Sequence, residues 1–220
     1  MRQLPAARNA RTGLPLHSER AAPQPHAARL LAVLNDSTTV IRSALRRSTK
    51  GSSVRIRPVE ERDFPALQDI EHATAEQFRS AGIDAIADLG PFDDEELTDF
   101  VRAGRAWVAV GDDDQPLGFL VTDVVDDCLY IAEVDVHPRH ARRGIGRQLI
   151  EHAATGGHSA LILTTFRDVP WNAPYYQRLG FVILADDKVP PGLRAIREYQ
   201  ATIGLDRWPR VCMRRNLVAM

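Results

Sequence analysis

Residues 130–147 restrict the possible architectures of this chain more than any other segment. An alternating strand pattern ends at His137-Pro138, an arginine-rich turn follows, and a helical apolar pattern begins at Gly144-Ile145-Gly146. A helix that starts after such a turn directs its unpaired backbone N–H groups and its positive dipole end at one point. Arg142 and Arg143 add positive charge there. The segment therefore predicts a binding site for an anionic group, and phosphate fits best.

Two familiar phosphate-binding signatures are excluded. A dinucleotide fingerprint needs a third glycine, and Leu149 stands where that glycine belongs. A Walker-type loop ends in Gly-Lys-Ser or Gly-Lys-Thr, and the chain has no such sequence. The ligand predicted for this turn is therefore neither a dinucleotide nor a nucleoside triphosphate held in a P-loop.

The turn resembles motif A of the general N-acetyltransferase (GNAT) superfamily, Q/R-x-x-G-x-G/A. The resemblance implies that the main chain of Gly144, Ile145 and Gly146 binds the pyrophosphate of acetyl-CoA. Ala141 occupies the Q/R position, so the charge is expected from Arg142 and Arg143 instead.

A second segment, residues 171–181, resembles motif B of the same superfamily. Tyr175-Tyr176 and Leu179-Gly180-Phe181 stand in register with that motif. The resemblance implies that Tyr176 is the general acid toward the CoA sulfur, and a free tyrosine pKa of about 10 suits a donor at neutral pH. For Asn172 two interpretations remain, a contact to CoA or the N-cap of a helix that continues with Pro174.

The resemblance also assigns roles to the strand before the turn. In GNAT enzymes this strand splays from the next one, which implies that the main chain of Val134 and Val136 holds the pantetheine arm and the thioester oxygen. Glu133 is the candidate general base, and a strand-end His137 is a second candidate. Strand alternation places Glu133 and Asp135 on one face, where one or both could instead be solvated at an open sheet edge.

The element order predicts an α/β (α+β) fold, a GNAT-like mixed, mostly antiparallel central sheet with helices on both faces. Two aspartate-rich turns separate three closely spaced strands, as in hairpins. Asp63, followed by Pro65, is predicted to cap the first helix. The predicted strands are 54–58, 107–110, 117–125, 129–136, 160–166, 180–185 and 210–217. Helices are predicted from Asp63 through Phe78 and over 93–103, 145–155 and 172–178, with an extra helix closed by Gly204.

The charge distribution divides the chain at residue 53. Residues 1–53 contain nine basic and two acidic residues, whereas 54–220 carry a net charge of −8. We interpret 1–53 as a disordered basic extension; a transit peptide and a mis-assigned start before Val54 are alternatives. Without aromatic interleaving or a recognised module, the basic charge does not predict nucleic-acid binding.

The apolar runs, the cysteines and the histidines indicate whether a membrane, a disulfide or a metal is involved. No apolar run approaches the roughly 18 to 20 residues of a membrane helix, so no membrane partner is expected. Cys128 and Cys212 lie in strand patterns and read as buried thiols of a reducing compartment, the cytoplasm. His137 and His140 lack the further ligands of a metal site, so no metal is expected.

We therefore expect residues 54–220 to be an acetyl-CoA-dependent N-acetyltransferase that acts on a primary amine. The leading acceptor is a small molecule, and a protein Nα or lysine amine is the alternative. A catalytically silent acyl-CoA sensor is a third possibility, and the resemblance to GNAT domains makes a homodimer possible.

Overall fold

A computed structural model describes residues 53–217, so the interpretation of 1–53 lies almost wholly outside the described residues. The strands are β1 Arg55–Pro58, β2 Ala106–Val110, β3 Pro116–Val125, β4 Cys128–Val136, β5 Ala160–Phe166, β6 Val182–Ile183 and β7 Arg210–Asn216. The helices are α1 Phe64–Ser80, α2 Asp84–Ala87, α3 Asp94–Arg102, α4 Ile145–Ala154, α5 Ala173–Arg178 and α6 Pro191–Thr202.

The strands form one mixed sheet in the order β1-β2-β3-β4-β5-β7-β6. All neighbouring strands are antiparallel except β4 and β5, which are parallel. The two predicted hairpin turns contain aspartates at positive φ, namely Asp114 at 60°, Asp126 at 51° and Asp127 at 59°. Aspartate tolerates this conformation better than most residues do, which is why it suits such turns. The mixed, mostly antiparallel sheet is confirmed.

Helices cover both faces of the sheet, as predicted. On the first face, α1, α3 and α6 bury Leu67, Phe100 and Ile196 against strands that include β4. On the second face, α4 buries Leu149 and α5 buries Tyr176. The helical apolar spacing therefore produces a hydrophobic core on each side of the sheet, and a third cluster forms around Phe78 and Phe166.

Strand β4 contains an extra residue, which alters the face of the sheet on which its following side chains lie. Val121 of β3 pairs with Glu133, but the next residue, Thr122, pairs with Ile131, so Ala132 has no counterpart. This is the geometry of a β-bulge, which bends a strand and locally increases its twist. Beyond the bulge, Val134 and Val136 pack on the second face, whereas Asp135 reaches α1 on the first.

The parallel pairing between β4 and β5 is short. Within the described sheet it comprises only Leu129 with Leu161 and Tyr130 with Ile162. Residues 131–136 consequently leave β5 and form the splayed segment of β4. Gly118 of β3 lies directly beside this segment, opposite Val136. A Cβ at Gly118 would lie 2.6 Å from the carbonyl oxygen of Asp135, so only glycine fits there.

Three details of the predicted elements differ from the structure. The strand predicted over 180–185 is only Val182–Ile183, and α2 was not predicted. Asp63 precedes α1 but its carboxylate makes no capping bond. It instead accepts hydrogen bonds from Arg57 Nη1 at 2.7 Å and from the Glu60 N–H at 2.9 Å. A buried ion pair thus takes the carboxylate away from the helix.

The predicted extra helix is α6, and its first turn is fixed by a residue distant in sequence. The Asp126 carboxylate accepts hydrogen bonds from the Gly192 and Leu193 N–H groups, both at 3.0 Å. Carboxylates stabilise helix N-termini in this way. Cys128 and Cys212 are buried free thiols, as the strand pattern predicted. No helix between residues 53 and 217 is long and apolar enough to cross a bilayer.

Candidate active site

The turn before α4 has the backbone geometry of an anion site. Gly144 is the N-cap of α4 with φ 76°, and Arg142 also lies in the left-handed region with φ 61°. Left-handed residues near a helix start form a concave set of N–H groups that binds anions. A Cβ built on Gly144 would meet no atom within 4 Å, so glycine is needed there for its φ and not for space.

A cleft of about 270 Å³ opens at this turn. It is lined by Val136, His140, Ala141, Arg142, Gly144, Ile145, Gly146, Arg147, Tyr175, Arg178 and Leu179. The cleft therefore brings together the end of β4, the glycine turn and α5. Of the predicted residues, Val136, Arg142 and the three residues 144–146 line it, whereas Arg143 is exposed outside the lining.

Several residues of the cleft wall were not predicted. Arg147 and Arg178 add two cations to Arg142, and Tyr175, not Tyr176, lines the cleft. The Arg178 guanidinium carbon lies 5.5 Å from the centre of the Tyr175 ring. Tyr175 and Arg178 are three positions apart on α5, so they share one face of the helix. This spacing could have predicted that both residues line the same cleft.

Tyr176 lies behind the cleft wall and is fully buried. Its ring packs at 5.7 Å from that of Tyr175 and 5.6 Å from that of Phe181, between centroids. Its hydroxyl has no hydrogen-bond partner among residues 53–217. Burial raises the pKa of Tyr176 well above 10, and Tyr175, Asp135 and Glu133 raise it further. The hydroxyl is therefore a protonated donor throughout the neutral range.

Val134 and Val136 lie on the splayed segment of β4. Both side chains are buried in the second-face core, which leaves the main chain as the part of each residue that a ligand could reach. Their strand has no ladder to β5 here, within the part of the sheet that the structure describes. Unpaired strand edges are sites for added main-chain hydrogen bonds.

The two acidic residues of this segment lie on the same face, opposite to Val134 and Val136. Glu133 is half-buried. Asp135 is only 1% exposed, so the expectation that it could be solvated is wrong. Its Oδ2 accepts a hydrogen bond from Thr74 Oγ1 of α1 at 2.7 Å, and its Oδ1 has no partner in the described chain. The helix α1 covers this carboxyl, which the alternation of β4 could not reveal.

Burial raises the pKa of Asp135 to about 8, and the hydrogen bond from Thr74 opposes this only partly. Between pH 4 and 8 the folded protein therefore holds a proton that the unfolded chain has lost. Because the folded state binds this proton and the unfolded state does not, the free energy of unfolding falls as the pH rises through this interval. The decrease is at most about 1.4 kcal/mol per pH unit.

Replacing Asp135 by asparagine is expected to remove most of this pH dependence, because an amide does not titrate. Urea unfolding at pH 5, 6.5, 8 and 9 measures it: the wild type should lose stability up to pH 8, and the variant much less. The matched control is Asp99→Asn at an exposed position of α3. Equal slopes for wild type and Asp135→Asn would contradict the buried protonated carboxyl.

The structure also shows which hydrogen bonds Asn172 and His137 make. Asn172 is the fully buried N-cap of α5, but its side chain makes no capping bond; its carbonyl oxygen accepts the Tyr176 N–H at 3.1 Å. His137 Nδ1 accepts the Arg139 N–H at 3.1 Å. Burial and the charge of Arg139 lower the pKa of His137. No group of three potential metal ligands occurs within 53–217.

A protein-family model described as "Acetyltransferase (GNAT) family" matches residues 66–181, more than half of the chain. The chain belongs to the GNAT family of acetyltransferases. The matched residues contain the splayed segment of β4, the glycine turn and Tyr176, so the resemblance and the enzyme class predicted from the two motifs are confirmed.

One curated relative of this GNAT chain is the peptidyl-lysine N-acetyltransferase YjaB of Salmonella typhimurium. It is 33% identical over 98 residues, which cover 44% of this chain and 63% of the relative. The chain thus matches less than two thirds of that protein.

Solved GNAT structures show the same fold. N-acetylglutamate synthase from Neisseria gonorrhoeae, complexed with coenzyme A and N-acetyl-glutamate, superimposes with a TM-score of 0.57 at 18% identity. The match covers 77% of this chain and 36% of that one. PaiA N-acetyltransferase from Thermoplasma acidophilum, in complex with coenzyme A, gives 0.54 at 15% identity over 74% and 99% of the two chains.

Proposed function

We propose that this GNAT chain transfers an acetyl group from acetyl-CoA to a primary amine of a small molecule, by direct attack of the amine on the thioester. The observation that carries the proposal is the splayed segment of β4, which leads directly into a cationic glycine turn. An unpaired strand edge suits an extended amide-containing arm, and the turn suits a pyrophosphate. Coenzyme A contains both groups in one molecule.

In this proposal the pyrophosphate accepts hydrogen bonds from the main chain of Gly144, Ile145 and Gly146. Arg142 and Arg143 supply charge, together with Arg147 and Arg178 of the cleft wall. The pantetheine arm runs along the main chain of Val134 and Val136. The phosphates thus lie at the mouth of the cleft and the thioester at the splayed segment.

Two side chains near the splayed segment supply the proton transfers. Glu133 accepts a proton from the amine, directly or through a water molecule, as the nitrogen attacks the thioester carbon. When the tetrahedral intermediate collapses, the C–S bond breaks and the Tyr176 hydroxyl protonates the departing sulfur. The raised pKa of Tyr176 keeps its hydroxyl protonated at neutral pH, which a proton donor requires.

A lysine side chain of a protein is the second candidate acceptor. It is favoured by the similarity to the Salmonella peptidyl-lysine N-acetyltransferase. The negative charge of residues 54–220 suits any cationic amine and does not separate the two candidates. Buried free thiols at Cys128 and Cys212 support a reducing compartment such as the cytoplasm for either reaction.

A thiol-release assay with acetyl-CoA tests the proposed function on the full chain. The acceptor panel contains amino acids, amino-acid amides, polyamines, aminoglycosides and lysine-containing peptides. Amine-dependent release of CoA thiol from a small acceptor supports the proposal, and release only with lysine peptides favours the second candidate. Binding of acetyl-CoA without thiol release from any amine would instead identify an acyl-CoA sensor.

A further inference from the structure

We propose that the acceptor carries a carbonyl or carboxylate group attached to the carbon that bears its reacting amine, and that Gln77 and Trp171 bind an oxygen of this group. The inference rests on the proposed function and names its class of substrate. It derives from a second cavity, which the motifs did not predict.

This cavity is an open groove of about 780 Å³ beside the C-terminal half of α1. It is lined by Ala73, Glu76, Gln77, Ser80, Ala81, Pro138, Pro170 and Trp171. Pro138 follows the splayed segment by two residues, and Trp171 directly precedes Asn172 at the start of α5. The groove and the cationic cleft thus flank the same end of β4, and none of their lining residues is shared.

Two of the residues that line the groove carry a donor for which the described residues supply no acceptor. Gln77 Nε2 and Trp171 Nε1 are both buried, and neither has a hydrogen-bond partner within residues 53–217. A buried N–H without an acceptor is unfavourable, so such groups are rare unless a ligand pairs with them. Since an indole N–H can only donate, the complementary ligand atom is an oxygen and not an ammonium group.

The helical spacing brings Gln77 close to the splayed segment of β4. Gln77 follows Thr74 by three residues, so both side chains lie on one face of α1. Thr74 donates its hydrogen bond to Asp135 of the splayed segment. The same helix face therefore contacts β4 through Thr74 and the groove through Gln77.

The indole is held in place by aromatic packing. The Trp171 ring meets that of Phe78 edge-on at 6.0 Å, and Phe78 also packs on Phe166 at 5.7 Å. A fixed ring gives its N–H a fixed direction, which favours recognition of one oxygen position. An acceptor with a carbonyl or carboxylate group on its amine-bearing carbon can place an oxygen of that group at Gln77 and Trp171 while its nitrogen faces β4. Amino acids, amino-acid amides and peptide N-termini share this chemistry, whereas polyamines lack it.

The test compares kcat/KM for matched acceptors in the thiol-release assay with the full chain. L-Leucinamide is paired with isoamylamine, and L-alaninamide with isopropylamine; each second compound lacks the carbonyl. L-Leucine and leucyl-alanine distinguish a free amino acid from a peptide N-terminus. The variants are Gln77→Leu and Trp171→Phe, which remove the N–H groups and keep most of the packing.

Each variant is expected to lower kcat/KM at least tenfold for the carbonyl compounds and to leave the plain amines within twofold. The controls are Gln177→Leu, at an exposed position, and Trp208→Phe, whose ring also packs on Phe166. Equal losses for both members of a pair, or no loss for either, would overturn the inference alone. If no amine releases thiol from the wild type, the proposed function fails and this inference fails with it.

Discussion

Tyr176→Phe is expected to lower kcat at least 100-fold while the Kd for acetyl-CoA stays within about threefold. Loss of a positioned general acid typically costs two to four orders of magnitude in rate. The affinity should persist because Tyr175, and not Tyr176, lines the cofactor cleft. Steady-state kinetics with a saturating amine and calorimetric titration of acetyl-CoA measure the two quantities separately.

The same variant should fold as well as the wild type. Its removed hydroxyl has no partner among the described residues, so no internal hydrogen bond is lost. Tyr199→Phe, at an exposed position of α6, is the matched control and should change neither rate nor affinity. Full turnover by Tyr176→Phe would remove Tyr176 from the chemistry, whatever its position behind the cleft.

Gly144→Val is expected to weaken acetyl-CoA binding at least tenfold, the second large effect. Valine at φ 76° is strained, by about 1–2 kcal/mol for a side chain in the left-handed region. The turn relieves this strain by rotating its peptide groups, which redirects the N–H donors away from the pyrophosphate. Titration calorimetry gives the affinity, and urea unfolding gives the change in stability.

Gly157→Val separates binding from folding. Gly157 has φ 80° and, like Gly144, no atom within 4 Å of a Cβ, but it lies beyond the other end of α4. It should lose similar stability and keep the acetyl-CoA affinity within twofold. If both valine variants bind acetyl-CoA as the wild type does, the glycine turn is not the phosphate site.

The elements of this chain were predictable where local chemistry decides them. The span of β5, the start of α4 at Ile145 and the acidic first turn of α3 follow from alternation, from a glycine turn and from capping. Prediction failed where a partner on a different element competes for a side chain. Asp63 is an example, because Arg57 takes the carboxylate that local sequence assigns to the helix cap.

The candidate site shows the same division. The glycine turn before α4 was predicted because a glycine-rich strand-to-helix transition is encoded within a few consecutive residues. The proposed acceptor groove was not, since Gln77 lies outside both motif segments and is 94 positions from Trp171, the first residue of the second segment. Only the packing of α1 against the end of β4 makes them neighbours.

The order of residues alone predicts the family, the mixed sheet and the glycine turn before α4, because short-range backbone geometry and apolar periodicity define all three. Tertiary structure decides which carboxyl is buried, where β4 leaves β5 and which donors lack partners. These properties arise from contacts between segments far apart in sequence, and the desolvation of Asp135 under α1 exists only after those segments have packed. For the strand before the turn, a one-residue bulge at Ala132 sets which face of the sheet the side chains of residues 133–136 occupy.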